Sequence, residues 1–127
     1  MLTLSAEDLP PCERPGVRKF DTGATRNAEI GKLDYEAFLS PAVLERYAQY
    51  LHKHRVQSDG NLRDGDNWQK GIPRNAYMKS AVRHLMAWWK AHRGVPETED
   101  LEESLCAVIF NASGYLFEVL KAKNKEI

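Results

Sequence analysis

A chain of 127 residues, 43% of them hydrophobic, is long enough for one modest core and too short for two. Eighteen basic and eighteen acidic side chains cancel, so no overall field recruits a long nucleic acid or an anionic membrane, while a local basic pocket for one phosphate group stays open. Cys12 and Cys106 lie far apart in unlike surroundings, which suits a reduced cytoplasmic protein. Neither a basic signal-peptide start nor an apolar run of about 20 residues is legible.

Residues 1–19, with Pro10, Pro11 and Pro15 among scattered charges, read as an extended N-terminal arm, which leaves 20–127 as a single domain. Two glycine-bearing segments without periodicity follow, Arg18–Glu36 and Ser58–Asn75. Ordering such loops costs backbone entropy, so they are the first places to look for function. The first helix starts at Ser40-Pro41, a cap followed by proline, and runs to about Arg55 with Leu44, Tyr47, Ala48 and Leu51 as its apolar stripe. A second runs from near Asn75 to His92, where Arg93-Gly94 and Pro96 stop it. Tyr77, Ala81, His84, Leu85 and Trp88 share one face, and Met78, Val82, Met86 and Trp89 an adjacent one. The third runs from near Asp100 to about Lys121, its stripe being Leu101, Leu105, Val108, Ile109, Ala112, Leu116 and Val119. No alternating β segment or repeat is legible. The expectation is an all-α, compact helical domain of three main helices with long functional loops. Three helices make a thin core, so a second copy is expected to cover the wide apolar face of the second helix in a homo-oligomer; a monomer closed by its own loops is the alternative.

Several standard motifs fail. Gly31-Lys32 ends no P-loop, because Arg26 stands where the first glycine belongs and Leu33 where a magnesium-binding hydroxyl belongs. Counted from Asp59, an EF-hand would need glycine where Asp64 stands. The two separated cysteines make no thiolate zinc site.

What remains is a set of polar residues on otherwise apolar helices. Asp100 and Glu103 lie one turn apart and can hold a hard divalent cation, or they simply complement the helix dipole. Asn111 puts a primary amide among core residues, as a tie between helices or a ligand contact. His84 beside Arg83 is a proton donor, metal ligand or phosphate contact, or else a satisfied core histidine; Arg83 is a candidate phosphate fork. In the first loop, Arg26, Lys32 and Asp34 give the mixed charge of a phosphate-plus-metal site. In the second, Asn67, Trp68 and Lys70 offer an amide, an aromatic plane and a cation, which can read, stack and charge-pair a nucleotide. Trp68 is also placed to plug the core, the reading favoured for that residue.

The ordered strings Gly23-Ala24-Thr25-Arg26, Gly31-Lys32-Leu33-Asp34-Tyr35-Glu36, Asp66-Asn67-Trp68-Gln69-Lys70-Gly71, Arg83-His84 and Phe110-Asn111, with Gly114-Tyr115-Leu116, resemble the phage-associated dATP/dGTP diphosphohydrolase N-terminal domain family over about residues 18–120. The resemblance implies hydrolysis of a deoxypurine triphosphate (dATP or dGTP) to monophosphate and pyrophosphate in nucleotide-pool control, with Mg2+ or Mn2+ as the metal. Carried over by position, it points to Arg26, Lys32, Asp34, Asn67, Lys70, Arg83, His84 and Asn111; joined to the residue readings above, the expectation is a metal held by Asp34, Asp100 and Glu103, with Trp68 among the nucleotide contacts. His84 would orient water or protonate the leaving group, and Glu103 would be needed for turnover. Ala87 and Phe117 stand where the family's pattern implies an acidic residue and a histidine. This departure keeps a catalytically inactive nucleotide-binding or host-protein-binding phage protein as the alternative.

Overall fold

A computed structural model describes residues 16–124, so the expected arm lies almost wholly outside the described residues. By its contacts the chain divides into two units, residues 1–40 and 41–127, each described here by itself.

The first unit holds β1 (Val17–Lys19), β2 (Thr25–Asn27) and the short helix α1 (Tyr35–Phe38). The strands pair antiparallel with Arg18 opposite Arg26, and the turn between them passes through Gly23 at φ 89°, a left-handed conformation that disfavours a side chain. This hairpin corrects the expectation of a purely helical chain. Three-residue strands whose side chains are mostly exposed carry no apolar alternation, so periodicity had nothing to detect. Arg18 and Arg26 would repel across the ladder; Arg18 is neutralised by Glu29 at 2.5 Å. Asp34 caps α1, its Oδ1 accepting the Ala37 N–H at 3.1 Å.

The second unit holds α2 (Pro41–Lys53), a 3-10 turn (Asn67–Lys70), α3 (Arg74–His92) and α4 (Leu101–Asn124). The three long helices fall where the sequence places them. Helix α3 ends in a Schellman motif: Val95 N–H donates to Lys90 O at 2.9 Å, Gly94 N–H to Ala91 O at 3.2 Å, and Gly94 has φ 73°. Asp100 caps α4, its Oδ2 accepting the Glu103 N–H at 3.2 Å while its carbonyl accepts from Ser104.

The buried faces differ from the expected stripes. On α2 Tyr50 is the buried residue, with Tyr47 and Leu51 beside it, while Leu44 is exposed. On α4 the closed side is Ser104, Cys106, Ala107, Asn111 and Gly114, whereas Leu101 and Leu116 of the expected stripe are exposed. Small residues on α4 let α3 come close, and Tyr77 lies directly against Gly114. A Cβ there would sit 2.3 Å from the Tyr77 ring. Tyr77 also meets Phe110 edge-on at 5.9 Å. The aliphatic residues are displaced outward. Met78, Val82, Leu85, Met86 and Trp89 of α3 are each 45–55% exposed and form one continuous face.

Leu101–Lys123 is long and apolar enough to cross a membrane by length and composition, which corrects the expectation that no apolar run approaches about 20 residues. The same helix carries the buried Ser104 and Asn111 that pack against α3.

Candidate functional site

In the second unit the C-terminal turn of α2, the loop after it and the facing sides of α3 and α4 enclose a cavity of about 240 Å³. Its wall includes Trp68 and Phe110 as apolar surfaces, Asn67, Ser80 and Asn111 as neutral polar groups, and His54, Arg55 and Arg63 as cations or potential cations. The loop is held in place by its own backbone. Val56 bridges Leu62, Arg63 N–H donates to Arg55 O at 2.8 Å, and Arg55 Nε donates to Arg63 O at 2.9 Å. Trp68 is half-buried, edge-on to Phe117 at 4.7 Å, and still lines the cavity, so it both plugs the core and offers a face. Phe117 is therefore a packing partner of the indole.

A ladder of polar contacts runs between α3 and α4. Asn111 is 5% exposed; its Nδ2 donates to Ala107 O at 2.8 Å and to Ser80 Oγ at 3.1 Å. One turn along α3 from Ser80, His84 Nδ1 lies 2.9 Å from Glu99 Oε1, and the 1%-exposed Ser104 donates its hydroxyl to Glu99 Oε2 at 2.5 Å. Burial pushes the Glu99 carboxyl up, but the Ser104 hydroxyl and the His84 ring outweigh it and hold it below the usual range. At the far end Tyr77 Oη is buried with no partner among the described residues, and burial raises its pKa.

Glu103 belongs to an ion cluster. Its Oε1 is 2.5 Å from Lys53 Nζ and 3.9 Å from Arg46 Nη2, and its Oε2 is 3.7 Å from His54 Nε2. The Lys53 ammonium lowers its pKa, against burial. His54 in turn packs against Tyr50 with ring centroids 4.2 Å apart and planes tilted by 42°, and burial pushes the Tyr50 phenol up to about 12. The Asp100 carboxylate is used in the helix cap. With Glu103 facing cations and Asp100 facing a backbone N–H, the pair does not fit a resident divalent ion. Among the described residues no group of three or more His, Cys, Asp or Glu side chains can hold one.

In the first unit Arg26, Lys32 and Asp34 line one open groove of about 840 Å³, with Arg18, Glu29 and Tyr35 around it. Of the expected nucleotide contacts in the second unit, Asn67, Trp68 and Asn111 share the cavity; Lys70 is exposed and pairs with Asp64 at 3.4 Å. Arg83 is exposed on α3, and neither Arg83 nor His84 lines the cavity. Sequence reading missed His54, Arg55, Arg63, Ser80 and Glu99. His54 and Arg55 precede a loop already suspected and Arg63 lies within it, and their charge was the available signal. Ser80 and Glu99 gave none, because their roles depend on which residues face them across the helix pair.

The second unit is thus a small helical domain with a cavity of mixed polar and apolar lining between its helices. The family model described as dATP/dGTP diphosphohydrolase, N-terminal, matches residues 22–126, and the chain belongs to that family. Among curated proteins and solved structures none is significantly similar to it.

Proposed function

We propose that the chain binds a deoxypurine nucleoside triphosphate, dATP or dGTP, and takes part in its hydrolysis to monophosphate and pyrophosphate within the cytoplasm of a phage-infected host. The observation that carries this reading is the cavity, in which an indole, a buried amide and the side chains of Arg55, Arg63 and His54 converge. Its volume lies below the roughly 300–1,000 Å³ of a site for a whole drug-sized ligand. A base therefore enters it while the phosphates remain outside, near cations. Family membership supports the substrate class. Magnesium or manganese is part of the substrate in this proposal, carried on the triphosphate. The exposed apolar face of α3 is proposed as the contact with a second copy.

A second reading is binding without turnover, as a sequestering or host-directed phage protein. Two observations favour it: the described residues gather no metal-holding carboxylate group, and Ala87, where the family's pattern implies an acid, is a buried 7%-exposed packing residue.

Incubating the purified chain with each deoxynucleoside triphosphate, with magnesium, manganese or chelator, and resolving products by ion exchange separates the two. Metal-dependent monophosphate and pyrophosphate from dATP or dGTP support hydrolysis. Saturable binding with unchanged triphosphate in every condition rejects it in favour of the second reading.

A further inference from the structure

Resting on the reading of the cavity as a base pocket, we infer that the Ser80–Asn111 pair reads the nucleobase edge, and that it accepts adenine and guanine alike. The amide orientation of Asn111 is fixed by chemistry. The Ala107 carbonyl can only accept, so the nitrogen must face it, and the second N–H goes to Ser80 Oγ. Both protons are thereby used inside the protein. Among the described residues no donor reaches Asn111 Oδ1, and the Ser80 hydroxyl, having accepted, donates to nothing. Both residues line the cavity. Asn111 is 5% exposed and lines the cavity, and its amide oxygen, unpaired among the described residues, is left for a donor from whatever occupies that space.

The pair therefore presents one acceptor and one donor side by side, on a wall flanked by Phe110 and Trp68. Adenine answers with its N6 amino hydrogen beside N1, and guanine with N1–H beside O6; donor and acceptor exchange ring positions between the two, so guanine meets the pair turned over relative to adenine. In both, the base donates to Asn111 Oδ1 and accepts from Ser80 Oγ. Pyrimidines carry a similar edge, so this pair leaves the choice of purine to ring size and to stacking against the apolar walls. A base without a donor at this edge, such as unsubstituted purine, leaves Oδ1 unpaired.

The test is calorimetric titration of the full chain with magnesium present, using α,β-methylene analogues of dATP, dGTP, dITP and the triphosphate of purine deoxyriboside, which resist cleavage to monophosphate and pyrophosphate. Side-chain amide NMR of Asn111 is followed in parallel. The expected result is similar affinity for the first three, about tenfold weaker binding of the unsubstituted purine, and movement of the Asn111 amide signals. In Ser80→Ala, binding of the first three should weaken by a similar factor. Equal affinity for all four ligands overturns the edge-reading proposal while leaving the base pocket intact. No binding of any purine nucleotide overturns the pocket reading and this inference with it.

Discussion

Gly114→Ala sets two effects of opposite sign against each other. Alanine inside a helix is worth about 1 kcal/mol over glycine, so on propensity alone the substitution stabilises α4. In this fold its methyl group would stand 2.3 Å from Cε1 and Cζ of Tyr77 and 2.6 Å from Oη, against the roughly 3.5–4.0 Å of a normal carbon contact. The ring must retreat by about an ångström. It has nowhere to go, being 2% exposed and edge-on to Phe110. Overpacking costs about 1–3 kcal/mol, and full expulsion of a buried aromatic about 3–5. Net of propensity, the expected loss is roughly 0–2 kcal/mol if the ring is merely crowded and roughly 2–4 kcal/mol if it is expelled, a fall in Tm of up to roughly 15 °C or of roughly 10–30 °C respectively for a unit of this size. Thermal denaturation followed by circular dichroism reads it. With Tyr77→Ala already in place, the same Gly114→Ala change should be neutral or raise Tm, because the obstructing ring is gone. A Gly114→Ala change no less favourable in the parent than in the Tyr77→Ala background would refute close α3 on α4 packing.

Glu103→Gln removes the carboxylate that joins Lys53 and Arg46 of α2 to α4. The Glu103 pKa is held below its ordinary 4.5, so its contribution is fully present above the unfolded value and is lost as pH falls through the folded one. The variant should lose about 0.5–1 kcal/mol at neutral pH and show a flatter acid limb in urea midpoint against pH, with any nucleotide turnover retained. An unchanged acid limb refutes the ion-cluster role, and lost turnover on an intact fold would reinstate Glu103 as a metal ligand. Trp89→Glu, on the exposed face of α3, should shift sedimentation from oligomer to monomer without lowering helicity. A parent chain that sediments as a monomer at high concentration would reject self-association through this face.

Helix limits were legible because their signals are local. Pro41 opens α2, the Gly94 Schellman turn closes α3, and Asp100 caps α4; each acts within a few residues of the backbone it satisfies. The hairpin of the first unit escaped because its strands are short and polar. Asn111 could be singled out from sequence, since an amide in an apolar run must find partners wherever it folds. Trp68 and Asn67 could likewise be chosen as loop residues with nucleotide-compatible chemistry.

Which helix face closes was decided only by tertiary packing. Periodicity marks apolar faces, and on α3 they extend around most of the helix, so the side that meets α4 had to be chosen by fit. Small Ala107 and Gly114 let Tyr77 and Ser80 approach, turning Leu101 and Leu116 outward. The same choice set the polar partners. His84 was paired with Glu99 rather than with a nearby phosphate site, Glu103 was surrounded by cations, and Ser80 was brought to Asn111 from 31 residues away. The sequence alone determined the helices and the polar residues they had to accommodate, through local capping, periodicity and hydrogen-bonding need. Which of those residues meet in a cavity was decided by steric complementarity between distant segments, a property of the folded pair and of neither helix alone.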